Sequence, residues 1–203
     1  METQKQHYSK HKILDAAVKL FRRKGYAATS VEALCIETGL TKGSFFHHFS
    51  GKEDLAIAAA AHWTAITAPL FEAAPFQNLP TALDRILGYV DFRRAILRGE
   101  LSEFTCLAGT MVQEVHTSNP MIAVACGKSI TDHAGTLVAD IEAAMAACGK
   151  RFDFTAQSLG LHTQAVLQGA FIMAKATGGP DAAADSVSHL RRYIELLFSK
   201  QGE

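Results

Sequence analysis

The side chains best placed to do chemistry lie close together near the N-terminus, in the stretch TSVEALCIETGLTKGSFFHHFSGKEDL that runs from Thr29 to Leu55. Lys42, Ser44, His47 and His48 offer an ammonium, a hydroxyl and two imidazoles within seven residues, with Gly43 among them. This set makes hydrogen bonds rather than breaking covalent ones. It suits the edges of bases in a DNA major groove, where a glycine lets backbone come close to the sugar-phosphate wall.

Two short helices must hold these groups. In the first, Val31, Leu34 and Cys35 share a face, because residues three and four apart stack on one side of a helix. Thr29 with Glu32 three positions on reads as a capping box that starts it, and Gly39 can take the left-handed conformation that ends it. Thr41 then caps a second helix, which Phe45 and Phe49 pin to the interior while Lys42, Ser44, His47 and His48 point elsewhere. A short helix, a glycine turn and a second short helix make a helix-turn-helix. The helix before them rests on an apolar stripe of Ile13, Leu14, Ala17, Leu20 and Phe21, and closes with Arg22, Arg23, Lys24 and Gly25.

LTKGSFFHHFSGKEDL closely resembles the recognition segment of the TetR family of bacterial transcriptional regulators. With SVEALCIETG and the helix before it, the resemblance covers about residues 10 to 55. One departure is visible: the family usually has Tyr, which typically touches a phosphate, where this chain has Phe46, so contact from position 46 must be apolar. The resemblance implies an all-α chain with a three-helix helix-turn-helix head over residues 1–52. A larger helical body for ligand binding and dimerisation follows over residues 53–203.

Charge agrees with a head and a body of different purpose. The chain is neutral overall, with 20 basic and 20 acidic residues, yet up to Lys52 nine Lys/Arg stand against four acids. A basic head on an acidic body suits contact with nucleic acid at one end only. The four cysteines, Cys35, Cys106, Cys126 and Cys148, are scattered without a C-x-x-C, which argues against zinc or a disulfide framework and fits a reducing cytosol. No apolar run is long enough for a membrane span, and METQKQHYSKHK is too polar for a signal peptide. A cytoplasmic protein is expected.

Residues 1–9 read as a flexible polar arm carrying Lys5 and His7, with His7 and His11 at i, i+4 but no third metal ligand nearby. After Phe49, Ser50 and Glu53 form a second capping box, opening a helix that continues to about Leu70 with Ile57, Ala61 and Trp63 inward. Lys52 in its first turn is expected to meet a phosphate. Pro69 and Pro75 mark its end. A helix from Pro80 to Leu97, a short internal helix within 103–115, and a long helix capped by Asn119 and running to about Cys148, interrupted only by residues such as Gly127 and Gly135, come next. The last two helices, from about Thr155 to Thr177 and from Asp181 to Ser199, are amphipathic, with Gly160, Ala165 and Gly169 interleaved in the first. Such a pair can pack against its twin in a four-helix interface or simply form monomer core; the resemblance implies the first, a homodimer through these helices.

No catalytic arrangement stands out: there is no Gly-rich phosphate loop, no G-x-S-x-G and no H-E-x-x-H. No enzyme activity, cofactor or metal is expected. A small-molecule pocket is: Trp63, Phe71, Tyr89, Phe92, Phe104, Met111 and Phe171 for its apolar wall, and Cys106, Gln113, Glu114, His116 and Gln168 for polar contacts. Cys106 beside Lys175 would favour a thiolate open to electrophiles or oxidants, against the plainer reading of an inert buried thiol.

The resemblance implies a homodimeric repressor on a roughly palindromic double-stranded DNA operator, released by a small-molecule effector of unstated identity. Base-edge contacts fall to Lys42, Ser44 and His47, and backbone contacts to Thr29, Thr41, His48 and Lys52. The helix from Lys52 is expected to be the only covalent route between head and body. A ligand-independent architectural DNA-binding protein, and a binding module with a disused helix-turn-helix, are the alternatives.

Overall fold

The computed structural model describes the backbone of residues 2–199 and the side chains of residues 7–199. Among the described residues the chain is helical, without strands: α1 Glu2–Lys24, α2 Val31–Thr38, α3 Lys42–His48, α4 Lys52–Glu72, a 3-10 turn Pro75–Asn78, α5 Ala82–Ala95, α6 Leu101–Phe104, α7 Leu107–Val115, α8 Pro120–Gly135, α9 Val138–Cys148, α10 Ala156–Thr177 and α11 Asp181–Phe198. It divides into two compact units. One comprises Met1–Ala68 with Thr105–Ser129, the other Pro69–Phe104 with Ile130–Glu203.

The first unit is built on α1, whose expected stripe is its buried face: Ile13, Leu14, Ala17, Leu20 and Phe21 are each at most 7% exposed. Residues 2–9 extend this helix rather than forming an arm, with His7 exposed and the Lys5 side chain outside the described residues. Along α4 the inward residues are Leu55, Ala56, Ala59 and Ala60, one step round from the expected Ile57, Ala61 and Trp63. Four small or medium side chains at this spacing make up the buried face of α4. Pro69 does not end α4. It sits within the last turn, where Pro69 and Ala65 both face solvent and the carbonyl left without its N–H partner can take water.

Residues 105–129 belong with the head, through α7. Arg22 Nε donates to the Thr105 carbonyl at 2.8 Å, and Glu114 accepts from the backbone of Tyr26 and Ala27. The chain therefore passes between the units three times, at 68/69, 104/105 and 129/130, so α4 is one covalent route among three.

In the second unit α5 packs against α9 and α11, and α10 against α9 and α11. Thr81 caps α5 and Thr155 caps α10, each hydroxyl accepting from the N–H three residues on at 3.1 Å. The long helix expected from Asn119 to Cys148 is two helices. Thr136 N–H and Oγ1 both donate to the His133 carbonyl, which ends α8 with a tight turn before α9 begins. Gly160 explains one small residue of α10 by packing within the unit, since a Cβ there would stand 2.9 Å from the Ala134 carbonyl oxygen. Gly169 meets nothing within 4 Å.

Candidate nucleic-acid interface

The helix α3 is held as its sequence suggests, by local devices. Gly39, at φ 65°, closes α2 and its N–H meets the Cys35 and Ile36 carbonyls. Thr41 Oγ1 accepts from Ser44 N–H at 3.1 Å to open α3. Phe45 and Phe49 are 1% and 2% exposed, with ring centroids 5.8 Å apart, so α3 has one fixed face toward the core. Thr41, Lys42, Gly43, Phe46 and His47 are exposed on its other side, and Ser44 and His48 are half-buried.

These exposed groups differ in how free they are. Lys42 pairs with Glu32 across the turn, and the pair raises the lysine pKa and lowers that of the carboxylate through hydrogen bonding and charge. His48 Nε2 lies 2.6 Å from Ser9 Oγ, and burial, with His47 and Lys10 nearby, pulls its pKa down. His47 makes an edge contact with the His48 ring. Phe46 is 55% exposed, an apolar side chain standing in solvent. Gly43 is unconstrained by its own fold: its φ is not positive, and a Cβ would meet only Thr41 Oγ1, at 3.7 Å.

Two expected backbone contacts are already committed within the protein. Thr29 is fully buried and its hydroxyl donates to the Gly25 carbonyl at 2.7 Å; the cap of α2 is Ser30, whose Oγ accepts from Ala33 N–H. Lys52 points back at the α1–α2 turn, donating to the Tyr26 carbonyl at 3.0 Å and lying 4.3 Å from the centre of the Tyr26 ring. Burial lowers its pKa, partly offset by the Glu114 carboxylate. The expected Ser50–Glu53 box is replaced by Asp54, which accepts from Ser50 N–H and Oγ.

The residues expected to line a pocket fall in both units. Trp63, Cys106, Met111, Gln113, Glu114 and His116 belong to the first; Phe71, Tyr89, Phe92, Phe104, Gln168 and Phe171 to the second. Met111 is wholly buried, and Trp63 lies under the Arg22 guanidinium at 4.4 Å. Gln113 is exposed and donates to the Gly109 carbonyl, and His116 is exposed just past α7. Cys106 caps α7, its Sγ accepting from Gly109 N–H at 3.4 Å. Lys175, its expected partner, belongs to the other unit. Glu114 is a clamp on the head: its two carboxylate oxygens accept from Tyr26 and Ala27 N–H at 3.1 and 2.9 Å, against Gly25 at φ 87°.

The second unit gathers its aromatic residues around a polar chain that the sequence reading missed. Gln164 Nε2 donates to Tyr89 Oη at 2.9 Å, and that oxygen lies 3.0 Å from His133 Nε2. Phe71 meets the His133 ring edge-on at 4.5 Å. Burial, with Arg93 nearby, pushes the His133 pKa down to about 4, so the imidazole is neutral at neutral pH. No local signal pointed to this polar chain, since the three residues come from three separate helices. Among the described residues no group of three or more His, Cys, Asp or Glu is arranged to hold a metal, and no helix is long and apolar enough to cross a membrane.

Comparison with known proteins places the head. Residues 13–59 match the family described as bacterial regulatory proteins, tetR family. Over 52 residues the chain is 48% identical to the HTH-type transcriptional regulator LmrA of Bacillus subtilis, covering 25% of this chain and 28% of that protein. It is 34% identical over 58 residues to the regulator YerO of the same organism, covering 29% of this chain and 20% of YerO. The chain thus spans less than a third of either curated relative's length. Across the whole fold, a TetR transcriptional regulator from Chloroflexus aurantiacus superimposes with a TM-score of 0.81 at 23% identity, over 94% of this chain and 96% of that one. Residues 13–59 thus carry a tetR-type helix-turn-helix, and the chain as a whole has the fold of the Chloroflexus aurantiacus protein.

Proposed function

We propose that the protein is a sequence-specific DNA-binding transcriptional regulator, a homodimeric repressor that a small-molecule effector releases from a palindromic operator. The observation that carries this reading is the outward face of α3. Two buried phenylalanines fix its orientation while Lys42, Gly43, Ser44 and His47 are presented away from the core. Lys42 and Ser44 are assigned to base edges with His47 beside them, and Thr41 and His48 to the sugar-phosphate backbone. The openness around Gly43 supports close approach of a partner's backbone.

A second copy is assigned to the outer faces of α10 and α11. Leu161, Ala165, Gly169, Ile172 and Met173 form an exposed stripe at helical spacing on α10, and Tyr193 and Leu196, 43% and 73% exposed, continue it on α11. An effector releases DNA only if it binds the non-binding arrangement better than the binding one. No catalytic role is proposed.

Fluorescence anisotropy with DNA from upstream of the protein's own gene tests the reading. Lys42→Ala should weaken specific binding by about 1–3 kcal/mol and narrow the gap between operator and random DNA. Equal loss on both sequences would count against base reading by Lys42.

A further inference from the structure

The guanidinium of Arg93 is set apart from the other arginines of the second unit. Arg85 holds Asp140 at 2.5 Å and Arg191 holds Asp91 at 2.7 Å, whereas Arg94, Arg151 and Arg192 stand in open solvent. Arg93 is half-buried, 5.3 Å from the Phe71 ring centre and 5.5 Å from that of Phe171, and among the described residues it has no carboxylate partner and no hydrogen-bond acceptor. Its nitrogens are not sealed off, since no buried side-chain nitrogen in the described structure lacks both a partner and solvent.

The ring faces offset part of the cost of drawing this cation out of water, and they leave its five N–H donors unused. Those donors form a planar fork that matches a carboxylate in two parallel hydrogen bonds. Phe71, one of the two rings at the fork, in turn packs edge-on against Phe92 at 5.7 Å, ring centre to ring centre. His133 Nε2 is already engaged with Tyr89 Oη.

We propose that the second unit binds a small aromatic carboxylate, its anionic head on Arg93 and its ring among Phe71, Phe92 and Phe171. This rests on the effector-responsive reading above and supplies the chemical class of the effector.

Calorimetric titration of the full-length protein without DNA, with 2-naphthoate and with 2-naphthamide, isolates the charge on a shared ring system. Naphthoate should bind at least tenfold tighter than naphthamide. Arg93→Gln should abolish that preference while leaving naphthamide affinity unchanged, and Arg93→Lys, which keeps the charge but loses the fork, should restore only part of it. Equal affinity for the two probes, no binding of either, a preference that survives Arg93→Gln, or an equal loss of both in that variant would overturn the proposal. The wild-type comparison stands even if Arg93→Gln does not fold. Failure here leaves operator discrimination in the anisotropy assay untouched, and loss of that discrimination with naphthoate binding intact would count against the regulator reading instead.

Discussion

Glu114 is the residue of α7 on which the geometry of the head most directly depends. Its carboxylate satisfies two backbone N–H groups at the α1–α2 turn and lies near the Lys52 ammonium. Hydrogen bonds to a charged group contribute about 1.5–3 kcal/mol each when shielded, and this site is partly open to water, so Glu114→Ala should cost about 1–2 kcal/mol in all. With a urea m-value of about 2 kcal/mol/M, the unfolding midpoint falls by roughly 0.5–1 M. Trp63, the one tryptophan, sits in the same unit beneath Arg22 and reports the transition by its fluorescence. Gly25 adds an internal control. A Cβ there would stand 2.5 Å from Glu114 Oε1 on a backbone at φ 87°, so Gly25→Ala carries both a clash and a strained conformation. Once Glu114 is alanine the clash is gone and only the strain remains. The two substitutions should therefore be non-additive, with the double variant less destabilised than the sum by about 1 kcal/mol. An unshifted midpoint for Glu114→Ala, or strict additivity in the cycle, refutes the clamp.

Three further outcomes can be measured with the same protein. Lys52→Ala should lower the urea midpoint yet leave the slope of log affinity against log salt unchanged, whereas a phosphate-binding lysine would take about 1 off that slope. His133 is held near pKa 4 while a free imidazole titrates near 6.5. The unfolded chain therefore takes the proton first: this contribution is complete above pH 6.5 and declines as pH falls toward 4. The decline is on the order of 3 kcal/mol, and His133→Gln should flatten it in urea titrations at several pH values. Leu196→Glu, placed where the side chain is 73% exposed, should leave the melting of a monomer intact but halve the mass seen by light scattering. An unchanged mass removes the proposed dimer face.

What the sequence displayed was mostly local. The α2–α3 pair, its glycine at 39 and its cap at 41, and the α10–α11 pair with Thr155 before it depend on residues within four positions of each other, and their spacing is visible in one dimension. The body's polar core was not visible, because Gln164, Tyr89 and His133 come from three separate helices and nothing in their own neighbourhoods announces the others. Lys52 and Thr29 have partners inside the protein for a related reason. Each sits beside the reading helix in sequence, but the turn at Gly25–Ala27 offers carbonyls that capture both side chains. Gly135 reads as an interruption in the helix that follows Asn119, but not as its division into two helices, which a single doubly occupied carbonyl, that of His133, decides.

The open space around Gly43 separates two selective pressures that usually act together. A saturation library at that position, scored once for surviving heat and once for retaining its operator, should return two different lists: nearly every side chain in the first, very few in the second. On the proposed reading, such a site lets the chain acquire a new target sequence without first being rescued from instability.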